Sequence, residues 1–100
     1  MLLCFKLTMP GNNSWNGKWS GEGRLYAIIK NIGKSQKAIQ KGKELMKSGS
    51  FGYSFGDGWF ASISLSEVST EEARRIRKQS KGFYGYEWMV DSIWRNGSID

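Results

Sequence analysis

Two runs of alternating apolar and polar or small residues, separated by a glycine-rich turn, constrain the fold of this chain more than any other feature. Residues 50–56 alternate aromatic with small residues, and residues 59–66 alternate apolar residues with serine along most of their length. The Gly-Asp-Gly sequence between them allows the positive φ angles that a tight turn needs. The pattern predicts a β-hairpin over residues 50–66 that turns at residues 56–58.

Two more strands precede this hairpin. In residues 2–9 the apolar side chains of Leu3, Phe5 and Leu7 fall on one face, which is typical of a half-buried strand. Residues 24–32 are rich in residues that favour strands and predict the second one.

Three segments have helical patterns. In residues 33–49 apolar residues recur at helical spacing, with Ser35 as the N-cap and Gly49 just past the end. The second helix begins with a capping box in which Ser69 is the N-cap, and it continues to Gly82. A third helix, from about residue 84 to residue 95, carries a broader apolar stripe.

The element order is therefore β-β-α-β-β-α-α over one domain, residues 1–100. This order predicts an α+β fold, with a mostly antiparallel four-stranded sheet and the helices on one of its faces. With so many aromatic residues in so short a chain, we expect apolar surface to stay exposed on the folded domain. Exposed apolar patches are typical of interfaces, so we expect a homo-oligomer.

The charge of the chain favours an anionic partner. The net charge is +6, and the cations cluster in residues 33–49, with five lysines, and in residues 70–82, with five lysines and arginines.

There is no histidine and one cysteine, which argues against zinc ligation, Ser-His or Cys-His catalysis and an intrachain disulfide. We therefore expect no metal, no cofactor and no enzymatic activity. The chain also lacks the pattern of a signal peptide or a membrane span, so we expect a cytoplasmic protein.

The segment from Pro10 to Arg24 predicts a long loop that either folds back on the domain or binds a ligand. It is rich in Gly, Asn and Ser and has no helical or strand period, yet it contains two tryptophans. An indole beside a cation suits a flat, negatively charged molecule such as a nucleotide. Two interpretations stay open: the indoles cap the core, or they stack on a base. The second predicts ligand-binding residues at Trp15, Asn16, Lys18, Trp19 and Arg24.

The tip of the hairpin is a second candidate. Asp57 in the turn is placed to accept a hydrogen bond from a ribose hydroxyl, and Trp59 after it offers another aromatic wall. The simpler interpretation is a tight turn without a binding role.

The carboxylates Glu87 and Asp91 are four residues apart on the last helix, and we interpret them as a solvated face.

The segments SWNGKWSGEGRLYA, YSFGDGWFASISL and GYEWMVDSI resemble a small family of proteins from phages and mobile elements of Gram-positive bacteria. In size, charge and aromatic content the chain is also similar to phage-encoded nucleotide sponges, the anti-defence proteins that sequester immune signals of Thoeris or CBASS systems. That likeness is one of type rather than motif. It implies a small, non-enzymatic and often oligomeric binding protein.

The leading hypothesis is thus a phage-type protein that sequesters a small anionic nucleotide, an ADP-ribose-type or cyclic nucleotide signal. One alternative is a DNA- or RNA-binding accessory protein that uses the two basic helices. Another is a protein–protein inhibitor of a host enzyme, with exposed aromatic residues as its contacts.

Overall fold

The computed structural model describes residues 1–8, 26–56, 59–80 and 87–99. In chain order they form strands β1 (Leu2–Thr8) and β2 (Ala27–Asn31), helix α1 (Gln36–Lys47), strands β3 (Ser50–Gly56) and β4 (Trp59–Val68), and helices α2 (Thr70–Gln79) and α3 (Glu87–Asn96). The predicted α+β class and the predicted order of elements are confirmed.

The four strands form an antiparallel sheet in the order β2-β1-β4-β3. Phe5 of β1 lies opposite Ile28 of β2 on one side and opposite Leu65 of β4 on the other. β3 and β4 are adjacent, with Phe51 opposite Ile63. β1 and β4 are therefore the inner strands, and β2 and β3 are the edges of the described sheet.

The predicted hairpin is confirmed in its pairing. β3 ends at Gly56 and β4 begins at Trp59, and the two strands are paired antiparallel. Gly56 has φ +91°, a conformation that favours glycine. The register shifts between Ser54 and Gly56, which marks a β-bulge at this end of the edge strand. The predicted turn residues Asp57 and Gly58 lie outside the described residues.

The main core lies between one face of the sheet and the helices α1 and α3. β1 and β4 contribute their alternate apolar residues to this face, as the period of two requires. Leu45 of α1 and Val90 of α3 pack against them. The largest fully buried side chains all belong to this layer: Phe5, Leu3, Ile63, Met89 and Ile93.

Helix α2 lies on the opposite face of the sheet, across β1 and β2. Cys4 and Ala27 point to this second face and are buried, and Ala73 of α2 is fully buried. The prediction that the helices lie on one face is therefore right for α1 and α3 and wrong for α2. The physical reason is that β1 and β2 are apolar on both faces, so each face needs a cover. α2 presents only a narrow apolar strip to the sheet, which consists of buried Ala73 and half-buried Ile76.

The ends of α1 and α2 follow the sequence signals. The Ser35 hydroxyl accepts a hydrogen bond from the backbone N–H of Ala38 at 3.1 Å, and the Ser69 hydroxyl accepts one from that of Glu72 at 3.1 Å. α2 ends at Gln79, three residues before the predicted end. Ser80 turns to extended backbone there, and its hydroxyl accepts a hydrogen bond from the backbone N–H of Ala27 and donates one to the backbone carbonyl of the same residue.

Gly42 lies where α1 packs closely against the sheet. A Cβ atom at this position would lie 3.0 Å from Cδ1 of Ile32 and 3.4 Å from Cδ1 of Leu3. Because glycine has no side chain, α1 can pack this closely against β1. The close packing compensates for the unfavourable helix propensity of glycine.

We expect Gly42→Leu to destabilise the protein by about 1–3 kcal/mol, because a large side chain overpacks the contact with Ile32 and Leu3. Lys43→Leu adds the same side chain at the exposed neighbouring position and is the matched control. Urea unfolding followed by circular dichroism measures both. Equal stability of the two variants would show that α1 does not depend on this close approach.

Candidate functional site

Most of the ligand-binding residues predicted from the sequence lie outside the described residues: Trp15, Asn16, Lys18, Trp19, Arg24 and Asp57. Trp59 begins β4, but its side chain also lies outside the described part. The strands that flank these residues are described. The backbone N–H of Leu7 donates to the carbonyl of Tyr26 at 2.8 Å, and Thr8 lies opposite Ser62 near the start of β4. The described strand ends that flank the two predicted segments therefore lie at the same end of the sheet.

A pocket of about 450 Å³ lies at the opposite end of the sheet. It forms where the start of β1, the end of β2, the turn into α1 and one side of α2 meet. Thr70 and Arg77 are seven residues apart on α2, so they fall on the same side of the helix. The pocket is lined by Met1, Leu2, Asn31, Gly33, Lys34, Thr70 and Arg77.

Backbone hydrogen bonds hold the rim of this pocket in place. The amino group of Met1 donates to the carbonyl of Gly33 at 2.9 Å, and the N–H of Ile32 donates to the carbonyl of Met1 at 3.0 Å. The side-chain oxygen of Asn31 accepts from the N–H of Gly33 at 3.0 Å, and Gly33 has φ +83°. The turn that carries Lys34 is thus fixed to the first strand.

The lining of the pocket favours an anion. Lys34 belongs to the first basic segment and Arg77 to the second, and none of the described residues that line the pocket carries a carboxylate. Gly33 and Lys34 directly precede the N-cap of α1, and Thr70 is the first residue of α2, so the positive ends of two helix dipoles lie nearby. Glu71 and Glu72 in the first turn of α2 reduce this field, but neither lines the pocket.

A second pocket, of about 400 Å³, is less suited to an anion. Its cations are Lys41 and Arg95, but Glu44 lines it as well. It also lies at the C-terminal ends of α1 and α3, where helix carbonyl groups concentrate negative partial charge.

Trp94 on α3 forms a cation–π cluster with two lysines from other elements. The Nζ atom of Lys41 on α1 lies 4.8 Å from the centroid of the ring, and that of Lys30 on β2 lies 6.0 Å from it. Such contacts contribute about 0.5–1 kcal/mol at partly exposed sites. The ring is half-buried against the core, so we interpret this cluster as a structural link between α1, α3 and β2.

The two basic helices lie on opposite faces of the sheet. The cations of α2 are exposed: Arg74, Arg75, Arg77 and Lys78. Lys37 and Lys43 on α1 are exposed on the other side of the molecule. The helices therefore do not form one continuous basic face, although Lys34 and Arg77 meet at the pocket near the sheet end.

Cys4 is the nucleophile to consider in the described sheet, and its surroundings make it a poor one. Burial raises the pKa of the Cys4 thiol above its ordinary value of 9.0, Lys6 lowers this pKa and Glu72 raises it. Since the thiolate is the reactive form, a raised pKa and a buried sulfur both reduce reactivity.

Among the described residues, no three His, Cys, Asp or Glu side chains lie close enough together to hold a metal ion. Glu87 and Asp91 are both exposed on α3, as the sequence interpretation of a solvated face requires. None of the helices in the described part of the chain combines the length and apolar character needed to span a membrane.

The sequence reasoning did not place Lys34 and Arg77 in one site. From the sequence alone, a solvated face is the favoured interpretation of the cations of α2, because they point to several sides of the helix, and an arginine that lines an anion pocket is the alternative. The partner of that arginine depends on which face of the sheet α2 covers, and the charge pattern does not contain this information.

Comparison with known protein families, with characterised proteins and with solved structures gives no match for this chain.

We expect iodoacetamide at pH 8 to modify Cys4 at least about tenfold more slowly in the native protein than in urea, because burial removes access and raises the pKa of the thiol. Mass spectrometry follows the modified fraction. Ser66 is exposed directly opposite Cys4 on β4, so Ser66→Cys combined with Cys4→Ala is the matched control. Equal rates for native Cys4 and this control would contradict the buried position.

Proposed function

We propose that this chain is a phage-type, non-enzymatic protein that binds and sequesters a small anionic nucleotide in the cytoplasm. The observation that carries the proposal is the pocket that Lys34 and Arg77, one from each basic segment, line together without a carboxylate among its described lining residues. Two cations that face one cavity without a counter-charge favour an anionic ligand.

The size and chemistry of the pocket suit a nucleotide. Its volume of about 450 Å³ lies within the range of pockets that hold small molecules. Lys34 and Arg77 would bind phosphate oxygens, and the guanidinium offers paired donors for this purpose. Met1 and Leu2 supply an apolar wall for the base or ribose, and the hydroxyl of Thr70 supplies a hydrogen bond.

The ligand class follows from the sequence hypothesis. An ADP-ribose-type or cyclic nucleotide signal combines phosphates with flat bases, which fits a basic pocket in a chain rich in aromatic residues. The residues predicted from the sequence, Trp15 to Arg24 with Asp57 and Trp59, remain a second candidate site. The described strand ends that flank these residues lie at the other end of the sheet, so variants at the two candidate sites can be tested separately.

The placement of the basic helices favours a small ligand over a nucleic acid. A duplex contacts a continuous basic face, whereas α1 and α2 lie on opposite faces of the sheet. A pocketed nucleotide meets two or three cations, which predicts a shallow dependence of affinity on salt.

We expect Lys34→Ala and Arg77→Ala each to weaken nucleotide binding about 10- to 100-fold, because each removes a charge-assisted hydrogen bond to phosphate. Isothermal titration calorimetry against ADP-ribose, a cyclic dinucleotide and a short DNA duplex measures the effect. Lys47→Ala is the matched control, since Lys47 is an exposed cation at the far end of α1. Native mass spectrometry of protein purified from a nucleotide-rich lysate guides the choice of further ligands.

The outcomes separate the competing functions. If duplex binds with a steep salt slope and the nucleotides do not bind, the nucleic-acid alternative is correct. If none of the three ligands binds and no small molecule co-purifies, the nucleotide function is rejected. The nucleotide is also expected to be recovered chemically unchanged after incubation with the protein, and its turnover would contradict the non-enzymatic role.

The loop residues have their own prediction. If the sequence-derived site is the binding site, Trp19→Ala and Lys18→Ala weaken binding about tenfold or more while Lys34→Ala has no effect. Thermal unfolding without ligand is the control for these variants. A large loss of stability in Trp19→Ala would show that this indole belongs to the core.

A further inference from the structure

Asn31 lines the cationic pocket, the cavity shared by Lys34 and Arg77, and its side-chain amide has donors to spare. The Oδ1 atom of Asn31 accepts a hydrogen bond from the backbone N–H of Gly33 at 3.0 Å. Because a backbone N–H group can only donate, this bond identifies the atom that faces the turn as the oxygen. Within the described part of the chain the Nδ2 atom has no partner, so its two N–H groups are available to a ligand.

The fold places this amide on the face of the sheet that α2 covers. Side chains alternate along β2, so Asn31 shares a face with Ala27, which is buried on that side. On α2, Thr70 and Arg77 lie three residues before and four residues after the fully buried Ala73, which places both on the side of the helix that carries Ala73. A strand end and a helix face thus bring their polar side chains to one pocket.

The polar side chains of the lining can all donate hydrogen bonds, while acceptors at the rim are already engaged. The Oδ1 atom of Asn31 accepts from Gly33, and the carbonyl of Gly33 accepts from the amino group of Met1 at 2.9 Å. Phosphate oxygens only accept hydrogen bonds, whereas ribose hydroxyls and the N–H groups of bases also need acceptors. The lining therefore suits a phosphate group better than a nucleoside. The donors are on the side chains of Asn31, Lys34, Thr70 and Arg77.

We propose that Asn31 is a specificity-determining residue of this pocket, and that its Nδ2 atom donates to the phosphate oxygens bound by Lys34 and Arg77. The phosphate end of the nucleotide occupies the pocket, and the base and ribose meet only its apolar side, formed by Met1 and Leu2. The hydrogen bond through Oδ1 holds the amide in one orientation before the ligand arrives, which reduces the entropy lost on binding. This role rests on the proposed function, because it needs an anionic ligand in the pocket.

Asn31→Asp tests the amide donor with little change of shape. The carboxylate keeps an oxygen that accepts from the N–H of Gly33, but it replaces the NH2 group with a negatively charged oxygen. We expect the dissociation constant to rise more than about 100-fold at pH 7, because a charge-assisted hydrogen bond is lost and a like charge is added. Isothermal titration calorimetry measures it with ADP-ribose or a cyclic dinucleotide, whichever binds the wild type more tightly.

Two further variants complete the experiment. Asn96→Asp makes the same chemical change at an exposed residue at the end of α3 and is the matched control, expected to change the affinity less than about threefold. Asn31→Ser adds no charge and keeps an oxygen that can bond the backbone of the turn, and we expect binding about tenfold weaker because the amide donor is lost. Thermal unfolding without ligand checks that the variants at Asn31 keep the fold.

The outcomes distinguish the role of Asn31 from the function of the pocket. If Lys34→Ala weakens binding while Asn31→Asp changes it no more than Asn96→Asp does, the role of Asn31 is wrong and the anion pocket stands. Adenosine is expected not to bind, and adenosine that binds as tightly as the nucleotide contradicts recognition of the phosphate end. If neither nucleotide binds the wild type, the proposed function fails, and the role of Asn31 fails with it.

Discussion

The packing of this protein depends on the burial of β1 on both of its faces. Leu3, Phe5 and Leu7 point to one layer, and Cys4 points to the other. β1 also pairs with two strands, so most of its backbone hydrogen bonds lie inside the sheet. A strand in this position needs a cover above and below. The helices α1 and α3 supply one cover and α2 supplies the other.

The position of the cationic pocket follows from this arrangement. α1 and α2 lie on opposite faces, yet Lys34 just before α1 and Arg77 on α2 reach the same end of the sheet. The hydrogen bonds among Met1, Asn31 and Gly33 fix the rim there. Cations of two separated basic segments thus line a single pocket, while the other cations of these segments lie on separate surfaces.

Charged and exposed apolar side chains lie at different edges of the described sheet. The β2 edge carries Lys30 and is closed in part by Ser80, while the β3 edge is uncharged and lies beside Trp88.

The sequence alone determined the local structure, because its signals act over a few residues. The alternation in residues 50–66 specified the hairpin, and Ser35 and Ser69 specified two helix starts. The tertiary structure alone decided which face α2 covers and that Lys34 meets Arg77. The pattern of α2 has few apolar residues and fits either face equally well. Its choice depends on the apolar second faces of β1 and β2, which are distant in sequence and adjacent only in the folded sheet.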